Sequence, residues 1–469
     1  MEDQIAQQLT LVEENLPFYI EMGMRVLSAA LIMIAGWMIG NSVAITGLVY
    51  PVVTHWIWDG NGEKLFDAMS GLWCVNIGYG RKELAEAAYR QMLELPYYNT
   101  FFKTSTVPAT ELAAKVAGLL PDHINSVFFV NSGSEANDTI VRLLRHYWAL
   151  KGQPERRVFI GRHRAYHGST MASASLGGMP TMHAQGGLPL PGFEHVMQPD
   201  WFSLGGDMSP DAFGLKAARE IEARIRKIGP DKIAGVIGEP IQGAGGVIIP
   251  PATYWPEVER ICREHGIPLI ADEVICGFGR TGNWWGFETF GFSPDIVPMA
   301  KGLSSGYLPI GAVAVSDAIM NEFVELGGEF FHGYTYSGHP AACAVALENI
   351  RIIEDEHLVE RVRDLAPMLK EKMTALADHP LVGEVRTCGF IGAIELVRDK
   401  ARRARFAPEG RVGLVARDHC VANGVVMRAC WDTLVFAPPF CIGEPDMDHW
   451  VERARRALDM THDKVRHEM

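Results

Sequence analysis

Hydrophobic and polar positions along this chain follow two rhythms. Short apolar runs, FFV at 128–130, VFIG at 158–161, IAGVIG at 233–238 and PLIA at 268–271, have the length and content of buried strands. Between them lie longer stretches with apolar residues at three- and four-residue spacing, which predict amphipathic helices over 81–95, 109–120, 211–228 and 254–265. Strand and helix in alternation predict an α/β sheet covered on both faces, with strand-end loops available for a ligand. WIWDGNGEKLFD at 56–67 differs, because two short segments flank an Asp-Gly-Asn-Gly turn whose residues tolerate the positive φ of a tight hairpin.

A second region begins near His339. Helices are predicted at 341–353 and 357–376, followed by the alternating VGEVRTCGFIGAIELV, a helix at 409–422, VVMRACWDTLVFAPP and a terminal helix at 445–465. The chain is therefore divided into an atypical apolar segment (1–50), a hairpin belonging to a small domain (51–75), a large domain (76–338) and a smaller α/β domain (339–469).

The apolar segment stands apart. No charged residue occurs over 26–54, and its first half, VLSAALIMIAGWMIG, is apolar enough for lipid. Those 15 residues would reach about 22 Å as a helix, whereas a span needs roughly 20 residues. Three readings are open: a core or interface helix, a membrane or membrane-surface helix over 26–50, and a segment foreign to the functional protein. The preceding residues are acidic, and the frame of a secretory signal is missing.

Composition narrows the classes. The chain has 469 residues, 48% hydrophobic and 21% charged, enough for a large core. A net charge of −13 without a basic block makes nucleic acid an unsuitable partner. The eight cysteines are scattered without CxxC or Cys/His spacing, so neither a metal site nor a disulfide framework is expected, and a reducing, cytoplasmic setting fits.

Three strand ends carry candidate chemistry. Asn131-Ser-Gly-Ser-Glu-Ala-Asn-Asp138 follows FFV at a strand-to-helix turn, where small residues leave backbone N–H groups open to an anion. The spacing suits an ordinary N-cap as well as a phosphate cradle. Asp272 ends a buried strand and needs a cationic or protonated partner. Lys301, between Ala300 and Gly302, is a candidate amine nucleophile if desolvation frees its amine; taken alone, either residue could also be solvated or ion-paired. Together they suggest pyridoxal phosphate: a lysine for the aldehyde, an aspartate for the ring nitrogen and a small-residue turn for the phosphate.

LFDAMSGLWCVNIGYGR, LPYYNTFFKT, FFVNSGSEANDT, YHGST, GEPIQGAGGVIIPP, ADEVICGFGRTG, AKGLSSGYLPIGA and HGYTYSGHP occur in one order. With these motifs, from about residue 52 onward, the sequence closely resembles the class III pyridoxal-phosphate aminotransferases, in the branch of ω-amino-acid and polyamine aminotransferases that use pyruvate. The resemblance implies pyridoxal-phosphate fold type I: a large central mixed sheet flanked by helices, plus a smaller α/β domain. It also implies a homodimer or dimer of dimers with active sites at the subunit interface.

By the same resemblance Lys301 joins the cofactor aldehyde, Asp272 bonds the pyridine nitrogen, Val274 packs on one ring face and Tyr166 stacks on the other. Ser132, Gly133 and Ser134 match the phosphate turn, and Thr335 matches a threonine that reaches the neighbouring subunit's phosphate. His167, Glu239 and Gln242 are expected beside the cofactor. Arg428 resembles a mobile arginine that pairs with an α-carboxylate, and Trp73 an aromatic wall for the amine donor. The implied reaction is ping-pong transamination from a primary amine, diamine or ω-amino acid to pyruvate, yielding an aldehyde or ketone and alanine. A decarboxylase, racemase or aminomutase on the same cofactor is the enzymatic alternative, and a weakly active membrane-associated homologue is another. One departure is evident: relatives carry an HPF-like motif near the substrate mouth, and the apolar run at 26–40 occupies that place here. It weakens the expectation for substrate more than that for cofactor.

Overall fold

The computed structural model describes Ile45–Thr46 and residues 53–469. The apolar run at 26–40 and the three readings of it lie outside the described residues. Among those described, no helix is long and apolar enough to cross a membrane.

The described residues fall into two units. In the smaller, Ile45 and Thr46 pair antiparallel with Asp59 and Trp58. Asp59 Oδ1 accepts the backbone N–H groups of Asn61 (2.9 Å) and Glu63 (2.8 Å), and Gly62 takes φ +82°, so the Asp-Gly-Asn-Gly segment turns as its residue types predict.

The larger unit includes residues 64–469. Its main sheet has seven strands in the order Ile124–Val130, Gly311–Ser316, Ile296–Met299, Leu269–Ala271, Ile233–Gly238, Val158–Arg162 and Phe193–Val196. Gly311–Ser316 runs antiparallel to both neighbours and the remaining pairings are parallel, which makes the sheet mixed. Ile233–Gly238 and Gly311–Ser316 are buried at every residue, the reason their sequences are continuous apolar runs and not alternating ones. The helix Gly133–Leu150 buries Ala136, Ile140 and Leu144, at four-residue spacing. A second, wholly antiparallel sheet follows the order Val382–Cys388, Ile391–Leu396, Thr433–Phe436 and Arg428–Cys430. Val425–Val426 instead pairs in parallel with Lys64–Asp67.

Three strands of the main sheet receive no bounds from the sequence. Phe193–Val196 carries Glu194 and His195 in its centre, and Ile296–Met299 contains Pro298, ordinarily a strand breaker. Gly311–Ser316 is a short run of small buried residues to which the sequence assigns no strand. None of the eight cysteines is disulfide-bonded: Cys262, Cys276, Cys343, Cys420 and Cys430 are buried, and the other three are half-buried.

Candidate active site

The strand ends of the main sheet converge on a cavity of about 470 Å³. Ile124–Val130 delivers the turn at Ser132. There Ser132, in extended conformation, accepts the Glu135 N–H with its side chain (3.2 Å), while Glu135 Oε2 accepts the Asn131 backbone and side-chain N–H groups (2.7 and 2.8 Å). Ser132 is thus an N-cap, and the turn it caps also lines the cavity, so the two readings of this segment are compatible. Ser134 Oγ accepts the Ser169 N–H at 3.1 Å and holds the Tyr166–Ser169 turn against the helix N-terminus. Gly168 makes that approach possible: its φ is +137°, and a Cβ there would lie 2.6 Å from Ser134 Oγ.

Asp272 follows Leu269–Ala271 and is 3% exposed. His167 Nδ1 lies 2.6 Å from Asp272 Oδ2, Asn137 donates to the same oxygen (3.0 Å), and Asp272 Oδ1 accepts the Val274 N–H (3.2 Å). Asn137 also donates to the His167 carbonyl at 2.7 Å. A buried carboxylate with this donor set is held in place without touching Lys301. Glu239, at the end of Ile233–Gly238, accepts the Tyr166 N–H (3.1 Å) and the Gly243 N–H (2.9 Å), and burial pushes its carboxyl above the ordinary range.

Lys301 follows Ile296–Met299 at φ +41°, a left-handed conformation uncommon for a long side chain. Its amine lies 5.6 Å from the Trp73 ring centroid, and among the described residues no carboxylate forms an ion pair with it. Burial lowers its pKa, which raises the fraction of free amine. Arg428 approaches the same indole from the second sheet, 5.1 Å from its centroid. Both residues line the cavity together with Trp73.

Eleven of the 13 residues expected from the sequence line this cavity: Trp73, Ser132, Gly133, Ser134, Tyr166, His167, Glu239, Asp272, Val274, Lys301 and Arg428. Gln242 does not line it; it donates to the His163 carbonyl (3.0 Å), and its buried Oε1 has no hydrogen-bond partner among the described residues. Thr335 is exposed and does not line the cavity; its carbonyl accepts Tyr97 Oη at 2.6 Å. Asn137 was not singled out in the sequence. A signal existed, since it lies four residues after Gly133 on one helix and therefore on the same face. Cys74, Leu72, Ile275 and Leu308 also line the cavity, and nothing in their residue types marked them.

Comparison with known proteins gives a consistent result. The family described as aminotransferase class-III matches residues 48–458. A putrescine–pyruvate aminotransferase from Pseudomonas aeruginosa is 54% identical over 407 residues, covering 87% of this chain and 89% of its own. A vanillin aminotransferase from Capsicum annuum is 40% identical over 416 residues, covering 87% and 90% respectively. Among solved structures, the ω-transaminase from Pseudomonas jessenii in complex with PMP superimposes with a TM-score of 0.87 at 41% identity, covering 90% of this chain and 94% of the other.

Proposed function

The chain belongs to the class-III aminotransferases, and from that premise we propose that it transfers the amino group of a primary amine, diamine or ω-amino acid to pyruvate, releasing an aldehyde or ketone and alanine. The observation that carries this reading is one cavity lined by both the Lys301 amine, which desolvation makes less basic, and the Arg428 guanidinium. An amine that reacts with carbonyls and a planar cation that binds carboxylates are the two groups an amine-to-keto-acid exchange needs. The names of the Pseudomonas relatives point the same way.

Class-III aminotransferases are pyridoxal-phosphate enzymes, and the residues present suit that group. A Cβ on Gly168 would collide with Ser134, so the glycine keeps a turn close to the helix N-terminus where a phosphate would sit. Asp272 offers an oriented carboxylate for a protonated ring nitrogen, and Val274 and Tyr166 flank the same space. When bound, pyridoxal phosphate supplies an aldehyde for the amine and a ring that accepts the electron pair left by a departing Cα proton. Lys301 Nζ then serves as the base that takes the proton from the donor carbon and as the acid that returns it. Arg428 orients the carboxylate of pyruvate, and Trp73 closes the side toward which the remainder of a donor extends.

The same reading includes a homodimer or dimer of dimers, supported by exposed apolar side chains such as Leu93, Tyr98, Phe102 and Phe331. Thr335 then acts toward the phosphate of a second copy. The scattered cysteine spacing, without CxxC or Cys/His pattern, is the feature in keeping with a cytoplasmic setting.

Alanine release from pyruvate, measured with putrescine, cadaverine, β-alanine and 1-phenylethylamine as separate donors, tests the reading. Stoichiometric alanine from at least one donor, lost in the Lys301→Ala protein, is expected. Cofactor binding without alanine from any donor would overturn it in favour of another pyridoxal chemistry.

A further inference from the structure

Trp73 occupies an improbable piece of backbone. Ser70, Gly71 and Trp73 all have positive φ (+47°, +65° and +56°), and such a run of left-handed residues persists only where surrounding contacts over-determine it. Asp67 supplies some of them, accepting the Met69 and Gly71 N–H groups (2.9 and 2.7 Å) and Tyr79 Oη (2.7 Å). The rest converge on Arg280, a fully buried arginine in the loop after Val274.

Arg280 Nη2 donates to Ser70 Oγ (3.2 Å) and Asn76 Oδ1 (2.6 Å), the residues three positions before and three after Trp73. Its Nη1 donates to the Pro438 (2.6 Å) and Phe390 (3.1 Å) carbonyls. Pro438 follows Thr433–Phe436, the strand paired with Arg428–Cys430, and Ser70 Oγ donates to the Ala437 carbonyl (2.7 Å) on the same segment. Asn76 presses against the lysine turn, since a Cβ on Gly302 would lie 2.7 Å from Asn76 Nδ2. One guanidinium therefore ties together the Trp73 turn, the strand beside Arg428 and the loop leaving Val274. Its acceptors are all neutral; a planar fork can reach four of them at once, whereas a lysine ammonium, a single point with three donors, cannot span them.

We propose that Arg280 is a positioning residue which holds the Trp73 indole against the cavity and thereby sets the size of donor the site accepts. This rests on the amine-donor reading above, and its test includes a readout independent of turnover. The holoenzyme, Arg280→Lys, Trp73→Ala and the double variant are compared for kcat/KM with 1-phenylethylamine against a small linear amine, and for backbone hydrogen exchange over 68–76. Arg280→Lys is expected to shift the bulky-to-small preference by about ten-fold in the Trp73 background and by less than about two-fold in the Trp73→Ala background. Exchange over 68–76 should rise in Arg280→Lys while the absorbance of bound cofactor is unchanged. An equal shift in both backgrounds, or unchanged exchange over 68–76, overturns the proposal. Should Arg280→Lys not fold, Ser70→Ala removes one of the four acceptors and is expected to move both readouts in the same direction, with the same outcomes deciding. Absence of turnover in the parent enzyme would count against the donor reading alone, because the exchange measurement still decides the role of Arg280.

Discussion

Single residues here are defined by the partners they lack as much as by those they have. Lys301 and Arg428 are two basic side chains near one indole, and neither forms an ion pair among the described residues. Asp272 and Glu239 are buried acids whose oxygens are occupied by His167, Asn137 and backbone N–H groups. Among the described residues the two basic groups are therefore left without an acidic partner, whereas the acids are fixed by hydrogen bonds. Arg428→Ala is expected to lower kcat/KM for pyruvate by roughly 10- to 100-fold, the worth of a charge-assisted hydrogen bond of about 1.5–3 kcal/mol. The donor half-reaction with an uncharged amine, followed by cofactor absorbance, should change by less than about three-fold. Lys301 and Asp272 could be picked out of the sequence because lysine and aspartate beside apolar strands are chemically conspicuous. Asn137 carried only a weak signal, its four-residue spacing from Gly133, since an asparagine inside a helix has many ordinary uses.

Whole elements explain why the glycines of the site are not equivalent. Gly133 begins the helix Gly133–Leu150 with ordinary φ, and a Cβ there would meet side-chain carbons alone, the Val274 methyl groups at 3.1 and 3.2 Å and Ala300 Cβ at 3.8 Å. Gly168 combines φ +137° with a prospective contact of 2.8 Å to the Ser134 backbone. Gly168→Ala is accordingly expected to cost about 1–3 kcal/mol of stability, and Gly133→Ala less. Thermal denaturation of the two variants, with cofactor retention after desalting, checks the order, and equal losses would show that the turn does not depend on the left-handed glycine. The eight helices given ranges from hydrophobic spacing, and the hairpin turn from turn chemistry, lie within a few residues of their observed positions. Ile296–Met299 is anticipated only as a strand ending near Lys301, without bounds, because Pro298 argues locally against a strand that pairing with Gly311–Ser316 nevertheless stabilises.

At the scale of the whole molecule, burial couples stability to pH. His195 lies on Phe193–Val196, with Nε2 3.2 Å from the Leu176 carbonyl and its ring 5.0 Å from that of His183. Burial, with the neighbouring His183, lowers its pKa from 6.5 to about 4. Between those values the unfolded chain binds a proton that the folded one excludes, so this residue's contribution to stability falls as pH drops through 6.5 and is fully lost below about 4. His195→Gln removes that loss. Its Tm relative to the parent is expected to climb as pH is lowered from 7 to 4.5, and a constant difference would remove His195 from the acid response.

What the sequence determined by itself was the local and the chemical: strand and helix periods, the Asp-Gly-Asn-Gly turn, and the motifs that place the chain among the class-III aminotransferases. Those properties depend on residues close together in the chain or on a pattern carried by residue types. The antiparallel placement of Gly311–Ser316, the convergence of 11 expected residues on one cavity, and the seat of Trp73 on a buried arginine 207 positions away were decided only by the tertiary structure. Each arises from contacts between distant segments, where burial makes an unpartnered hydrogen-bonding group costly and selects the one arrangement in which Ser70, Asn76, Phe390 and Pro438 share Arg280.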